Sequence, residues 1–226
     1  MNIGVLLSGN GVYDGSEIQE AVFTLLSIDE NGGTALCMAP DIDQHHVLNH
    51  MTGEEMDEKR NVLIESARIA RGDIRDVAEV HAENLDALVI TGGFGAAKNL
   101  TTWAFSGPEG EILPSVRDLI VDMNKEGKPI VGLCMGPTVI ALALKDTGVS
   151  THLTVGTDKE GSPYEISEIS AGLEKAGAVP ELRTVREIAF DEENKIITAP
   201  CYMMDASVKE VRNNIAMAID RLFELL

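Results

Sequence analysis

Short apolar runs alternate along the chain with longer stretches in which hydrophobic side chains recur every three or four residues. Asn2–Leu7 is the first apolar run, and the turn Ser8-Gly9-Asn10-Gly11 follows it. From about Ser16 to Glu30, Ile18, Ala21, Val22, Leu25 and Leu26 fall on one helical face, and Asn31-Gly32-Gly33 ends that helix. Thr34–Ala39 is a second strand, and Leu85–Ile90 is a strand of the composition expected when both faces are buried. Glu109–Glu126 is a helix closed by Gly127. Pro129–Leu133 is another buried strand, and Gly136-Pro137 opens a helix reaching about Lys145, with proline in its favoured first turn. A short strand at Leu153–Val155, a helix over Ser162–Gly177, a hairpin of Glu187–Phe190 with Lys195–Ala199, and a last helix over Ala206–Leu226 complete the pattern.

Residues 40–84 break this alternation. Asp41–His50 is polar and rich in histidine, and Thr52-Gly53-Glu54-Glu55 offers the start of a helix over Met56–Ala70. The expectation is a single α/β domain over residues 1–226, with an excursion at about 40–84 and a mostly parallel sheet covered on both faces. In such folds ligands sit beyond the carboxyl ends of the strands, so the turns after Leu7, Ile90, Leu133 and Ala199 should share one edge.

Composition removes several classes of function. The 226 residues carry 18 Lys+Arg against 37 Asp+Glu, a formal charge of −19, which repels phosphate backbones and anionic lipids and disfavours nucleic acid and membranes as partners. No apolar stretch approaches the roughly 20 residues that span a bilayer. The first residues read as a strand rather than a leader, which gives an expectation of a cytoplasmic protein. Cys37, Cys134 and Cys201 form no CxxC pair, so they are expected as free thiols.

Cys134 is the candidate for chemistry. Pro129-Ile130-Val131-Gly132-Leu133-Cys134-Met135-Gly136-Pro137 has the form of a nucleophile elbow: an apolar strand, one residue in a tight turn, then small residues that let a helix begin at once. A thiol at a helix N-terminus is favoured as thiolate. A buried core cysteine is the competing explanation. Gly92 and Gly93 follow another buried strand and, with the N–H of Met135, are candidates for an oxyanion site. Glu20, with Glu17 one turn earlier, offers a carboxyl whose protonated form can donate to sulfur. Asn10, in the first turn, and Cys201, just past a strand, are candidate pocket residues.

Gly15-Ser16-Glu17-Ile18-Gln19-Glu20, Thr91-Gly92-Gly93-Phe94-Gly95-Ala96-Ala97-Lys98-Asn99-Leu100 and Cys134-Met135-Gly136-Pro137-Thr138 resemble the ThiJ/PfpI superfamily, relatives of the glutaminase half of class I amidotransferases. Within it, Ser8-Gly9-Asn10-Gly11-Val12-Tyr13-Asp14-Gly15, Asn49-His50-Met51-Thr52-Gly53-Glu54 and Arg60-Asn61-Val62-Leu63-Ile64-Glu65 are similar to the ElbB-like, enhancing-lycopene-biosynthesis branch, along nearly the whole chain. The resemblance implies a flavodoxin-like three-layer fold. It implies a nucleophile at Cys134, an acidic partner at Glu20 with Glu17 as the fallback, and oxyanion-forming glycines at Gly92 and Gly93. It also implies a cofactor-independent glyoxalase activity turning glyoxal into glycolate, and a homodimer.

One departure bears on mechanism. Many members of the superfamily place a histidine on the strand after the elbow helix. Here Gly156 falls at that point, and strand alternation aims His152 elsewhere. A Cys-His amidase mechanism therefore lacks its base, and an amidotransferase-like subunit is weakened as a reading. The expected enzyme uses a hemithioacetal: the Cys134 thiolate attacks a small dicarbonyl, N–H groups of Gly92, Gly93 and Met135 hold the alkoxide, and Glu20 moves the proton. The rival is a redox-sensing protein or an isoprenoid-pathway accessory whose Cys134 is oxidised. Gly9-x-Gly11 does not reach a dinucleotide fingerprint, and no P-loop is present. His45, His46 and His50 lack a metal-site pattern and read as solvated or lid residues, so no metal or cofactor is expected.

Overall fold

The computed structural model describes all 226 residues, Met1–Leu226. Seven strands form the main sheet in the order β3-β2-β1-β4-β5-β9-β8. Six of them are parallel: β1 (Asn2–Leu6), β2 (Thr34–Ala39), β3 (Arg75–Asp76), β4 (Ala87–Ile90), β5 (Ile130–Leu133) and β9 (Ile196–Ala199). The edge strand β8 (Ala189–Asp191) pairs antiparallel with β9, as the hairpin at 187–199 predicts. Every residue of β4, β5 and β9 is buried, which explains their unbroken apolar sequences.

Helices α1 (Ile18–Glu30), α2 (Val62–Ile69), α3 (Trp103–Ser106), α4 (Pro114–Lys125), α5 (Gly136–Leu144), α6 (Ile166–Lys175) and α7 (Val208–Phe223) cover the sheet. The result is the expected flavodoxin-like α/β sandwich. Helices α1 and α7 pack on each other, as do α4 and α5. The order of strands reverses at β1, whose neighbours are β2 on one side and β4 on the other. Ligand crevices open at such a reversal.

Four expectations fail for local reasons. The helix drawn over Met56–Ala70 begins only at Val62. Asn61 caps it by accepting from Ile64 N–H at 2.9 Å, while Met56 N–H pairs with the carbonyl of Val47 at 2.8 Å. The helix drawn from Glu109 begins at Pro114, because Ile112 bridges Thr101 and Leu113 N–H bonds Leu100. The helix drawn from Ser162 begins at Ile166: Ser162 is turned away by Pro163, and its hydroxyl is bonded to the Met203 carbonyl at 2.6 Å. Finally, β6 (His152–Gly156) leaves the main sheet and pairs with β7 (Val179–Leu182), whose internal Pro180 argues against a strand in the sequence. Residues 96–100 form a short π-helix, which periodicity did not signal.

Candidate functional site

The turns after β1, β4, β5 and β9 meet at the carboxyl edge of the sheet, and Cys134 lies at their centre. Its backbone is left-handed, φ 55°, a conformation that strains a residue bearing a Cβ by about 1–2 kcal/mol. Neighbouring bonds hold it there. Cys134 N–H donates to the Ala199 carbonyl at 2.9 Å, and the Thr138 hydroxyl donates to the Met135 carbonyl at 2.7 Å. The thiol is 5% exposed, and the N–H groups of Gly93 and Met135 are directed at its sulfur.

Glu20 is fully buried on the first turn of α1. Its Oε1 accepts from Tyr202 N–H at 3.1 Å. Its Oε2 has no full hydrogen bond to nitrogen or oxygen and lies against the Cys134 thiol and the Gly92 amide. Glu17 takes a different position: it is the N-cap of α1, accepting from Glu20 N–H at 2.6 Å. Gly92 is required by this crowding. A Cβ there would lie 2.1 Å from Glu20 Oε2 and 2.4 Å from Cys134 Cβ.

Burial pushes the Glu20 carboxyl up to about 8, with the charge of Glu17 adding to the effect. Burial, reinforced by Glu20, also pushes the Cys134 thiol well up, more than the two N–H donors lower it. The expectation of a preformed thiolate is thereby corrected. Desolvation outweighs the helix N-terminus, and at neutral pH the pair holds its protons. Of the oxyanion candidates, Gly93 and Met135 direct their N–H groups at the sulfur, and Gly92 lies against Glu20 Oε2 and Cys134.

The remaining candidates divide. Cys201 is fully buried, also left-handed at φ 50°, and its sulfur faces the Cys134 N–H, so it lies beneath Cys134. Asn10 is half-buried in the first loop, where its amide packs on Gly15. Two tyrosines enter the site without a sequence signal. Tyr202 supplies the N–H on Glu20. Tyr164, carried in by the Ser162-Pro163 turn, is pushed up to about 12 by burial and by proximity to Cys134 and Glu20, so its hydroxyl keeps its proton.

The excursion packs beside this edge without contributing a histidine to Cys134. His50 stacks on Tyr13, and its Nε2 accepts from Tyr13 N–H at 3.2 Å. His45 and His46 pack on Phe105. No group of three or more His, Cys, Asp and Glu side chains is arranged to hold a metal ion. His152 is exposed and paired with Glu181 at 3.0 Å. Gly156 has φ 128°, and a Cβ there would lie 2.6 Å from Met204 Sδ, so no histidine fits at that point.

Comparison with known proteins agrees with the fold. The chain is 36% identical over 225 residues to the human glutamine amidotransferase-like class 1 domain-containing protein 3, mitochondrial, spanning 99% of this chain and 82% of that protein. It is equally identical, 36% over 225 residues, to the rat ES1 protein homolog, mitochondrial, with 99% and 83% covered. The chain belongs to this ES1, ElbB-like branch of the ThiJ/PfpI superfamily. A crystal structure of an isoprenoid biosynthesis protein with an amidotransferase-like domain from Ehrlichia chaffeensis superposes with a TM-score of 0.89 at 33% identity, covering 99% of this chain and 98% of that one. Drosophila melanogaster DJ-1beta, at 14% identity and a TM-score of 0.55 over 99% of this chain and 94% of its own, shares the fold. No family model matches the chain. The expected cytoplasmic location is corrected by these relatives, whose names place them in the mitochondrion and point there rather than to the cytoplasm. No helix is long and apolar enough to cross a membrane, a property that does not separate one aqueous compartment from another.

Proposed function

We propose that Cys134 adds to the aldehyde of a small dicarbonyl and that the site isomerises and hydrolyses the adduct, turning glyoxal into glycolate without a cofactor. The observation that carries this reading is the buried Cys134–Glu20 pair, in which a carboxyl raised to about 8 faces a thiol. A carboxyl at that value suits acid and base steps near neutral pH.

In molecules where Glu20 is ionised, a share that grows as pH approaches 8, its carboxylate takes the thiol proton as sulfur forms its bond to the aldehyde carbon, and the carbonyl π pair moves onto oxygen. Gly93 N–H and Met135 N–H, which face the sulfur, are the donors assigned to that alkoxide, with the Tyr164 hydroxyl as a third. Glu20 returns the proton to it, giving the hemithioacetal. The proton on the adduct carbon then passes through Glu20 to the neighbouring carbon, while the hydroxyl proton passes to the neighbouring oxygen. One carbon is oxidised, the other is reduced, and a thioester results. Water cleaves its C–S bond, sulfur regains a proton, and the hydroxy acid leaves.

A glutaminase mechanism lacks its histidine base. The redox-sensor alternative needs peroxide to reach Cys134, which is only 5% exposed. Association of two copies belongs to the proposal as well: α1 leaves Ile18, Val22 and Leu26 exposed along one face, and light scattering of Val22→Asp against the native chain tests it. For the activity, purified protein is incubated with glyoxal and glycolate is assayed. Turnover is expected, and turnover undiminished in Cys134→Ala sinks the reading. Selective peroxide oxidation of Cys134 without turnover favours the sensor instead.

A further inference from the structure

A cleft of about 340 Å³ opens between the 94–108 segment and α6 and reaches Met135, the neighbour of Cys134. Its wall includes one residue next to each of two site residues. Phe94 succeeds Gly93, and Met135 succeeds Cys134 itself. Tyr164, whose hydroxyl senses Cys134 and Glu20, stands edge-on to Phe94 with ring centroids 5.7 Å apart. Trp103 and Ile169 continue the lining outward, and Glu168 is its one charged side chain.

We propose that this cleft is a subsite for an apolar substituent, so that the preferred substrate is a neutral aryl-substituted 2-oxoaldehyde and glyoxal is a poor surrogate. The inference rests on the reading of Cys134 as a carbonyl nucleophile. Glyoxal would leave such a cleft filled only with water, and water against an aromatic wall is readily displaced by an apolar group. The volume is that of a small-ligand pocket. Three aromatic rings offer edge and face contacts to an aryl group, and Glu168 repels an anionic one. The reacting aldehyde then lies at Cys134 Sγ, with the substituent directed past Met135 toward Trp103.

The molecule supplies its own probe, because Trp103 is the sole tryptophan. Acetophenone, which has the aryl group but no aldehyde, is titrated into the native protein while tryptophan emission is followed. Saturable quenching is expected, and its midpoint should rise about 10-fold in Ala104→Phe, which fills the exposed mouth of the cleft. In parallel, the ratio of kcat/KM for phenylglyoxal to that for glyoxal is compared in the two proteins and should fall about 10-fold in the variant. A strictly linear, collisional response in the native protein overturns the subsite, as does a ratio unchanged in Ala104→Phe. If neither aldehyde is consumed, the nucleophile reading fails, and the acetophenone titration still decides the subsite.

Discussion

The carboxyl edge around Cys134 and the excursion over residues 40–61 both concentrate reactive side chains, yet their physical characters are opposite. At the edge, Cys134, Glu20 and Cys201 are buried, two of the three have left-handed backbones, and Gly92 leaves no room for a methyl group. In the excursion, the histidines rest on Tyr13 and Phe105, Met51 is 96% exposed, and Gly53 has nothing within 4 Å of its missing Cβ. Reactive groups become a site when the fold removes water from them and makes their protonation states interdependent. Abundance of histidine alone does not do this.

The sharpest test of that contrast is catalytic. Cys134→Ala should lower glyoxal turnover by about 10⁴-fold or more, whereas replacing His45 and His46 together by alanine should leave it within about 3-fold, as measured by steady-state kinetics.

The next effect is a gain in stability at the expense of activity. The native Glu20 carboxyl keeps its proton up to about 8, while the unfolded one loses it near 4.5. Stability from this group is therefore complete below pH 4.5 and declines as pH rises toward 8. Glu20→Gln does not titrate, so its advantage in urea unfolding should be near zero at pH 4 and reach about 2–3 kcal/mol at pH 7. Under the proposed function, turnover by the native protein should climb as pH approaches 8, where Glu20 becomes available as a base. The variant should lose both the rate and that rise.

A steric comparison comes third. Gly92→Ala should destabilise by about 1–3 kcal/mol through forced displacement of Glu20 and Cys134. Gly53→Ala, at φ 76° in open space, should cost about 1 kcal/mol from backbone strain alone. The smallest effect belongs to His50→Ala. Its Nε2 accepts from Tyr13 N–H at 3.2 Å at a partly exposed position, and loss of that bond should cost about 0.5–1 kcal/mol.

Much of the frame was legible because it is written locally. The runs at β1, β2, β4, β5 and β9 are continuous apolar segments bounded by glycine and proline, and the elbow at Cys134 is a contiguous pattern. Hidden features depend on distant partners. The start of α2 at Val62 follows from Asn61 capping and from Met56 pairing with Val47. Tyr164 and Tyr202 reach Glu20 and Cys134 across gaps in the chain that no spacing rule covers.

The sequence by itself determined the parallel sheet, the edge at which its turns gather, and the residues Cys134, Glu20, Gly92, Gly93 and Met135 as candidates, since strand periodicity and turn chemistry act over a few residues. Only the tertiary structure decided their protonation and division of labour. Burial depth is set by every element packed around a group. It is burial that keeps the Cys134 thiol protonated and raises Glu20 toward 8, and packing leaves an aromatic-lined cleft that reaches Met135.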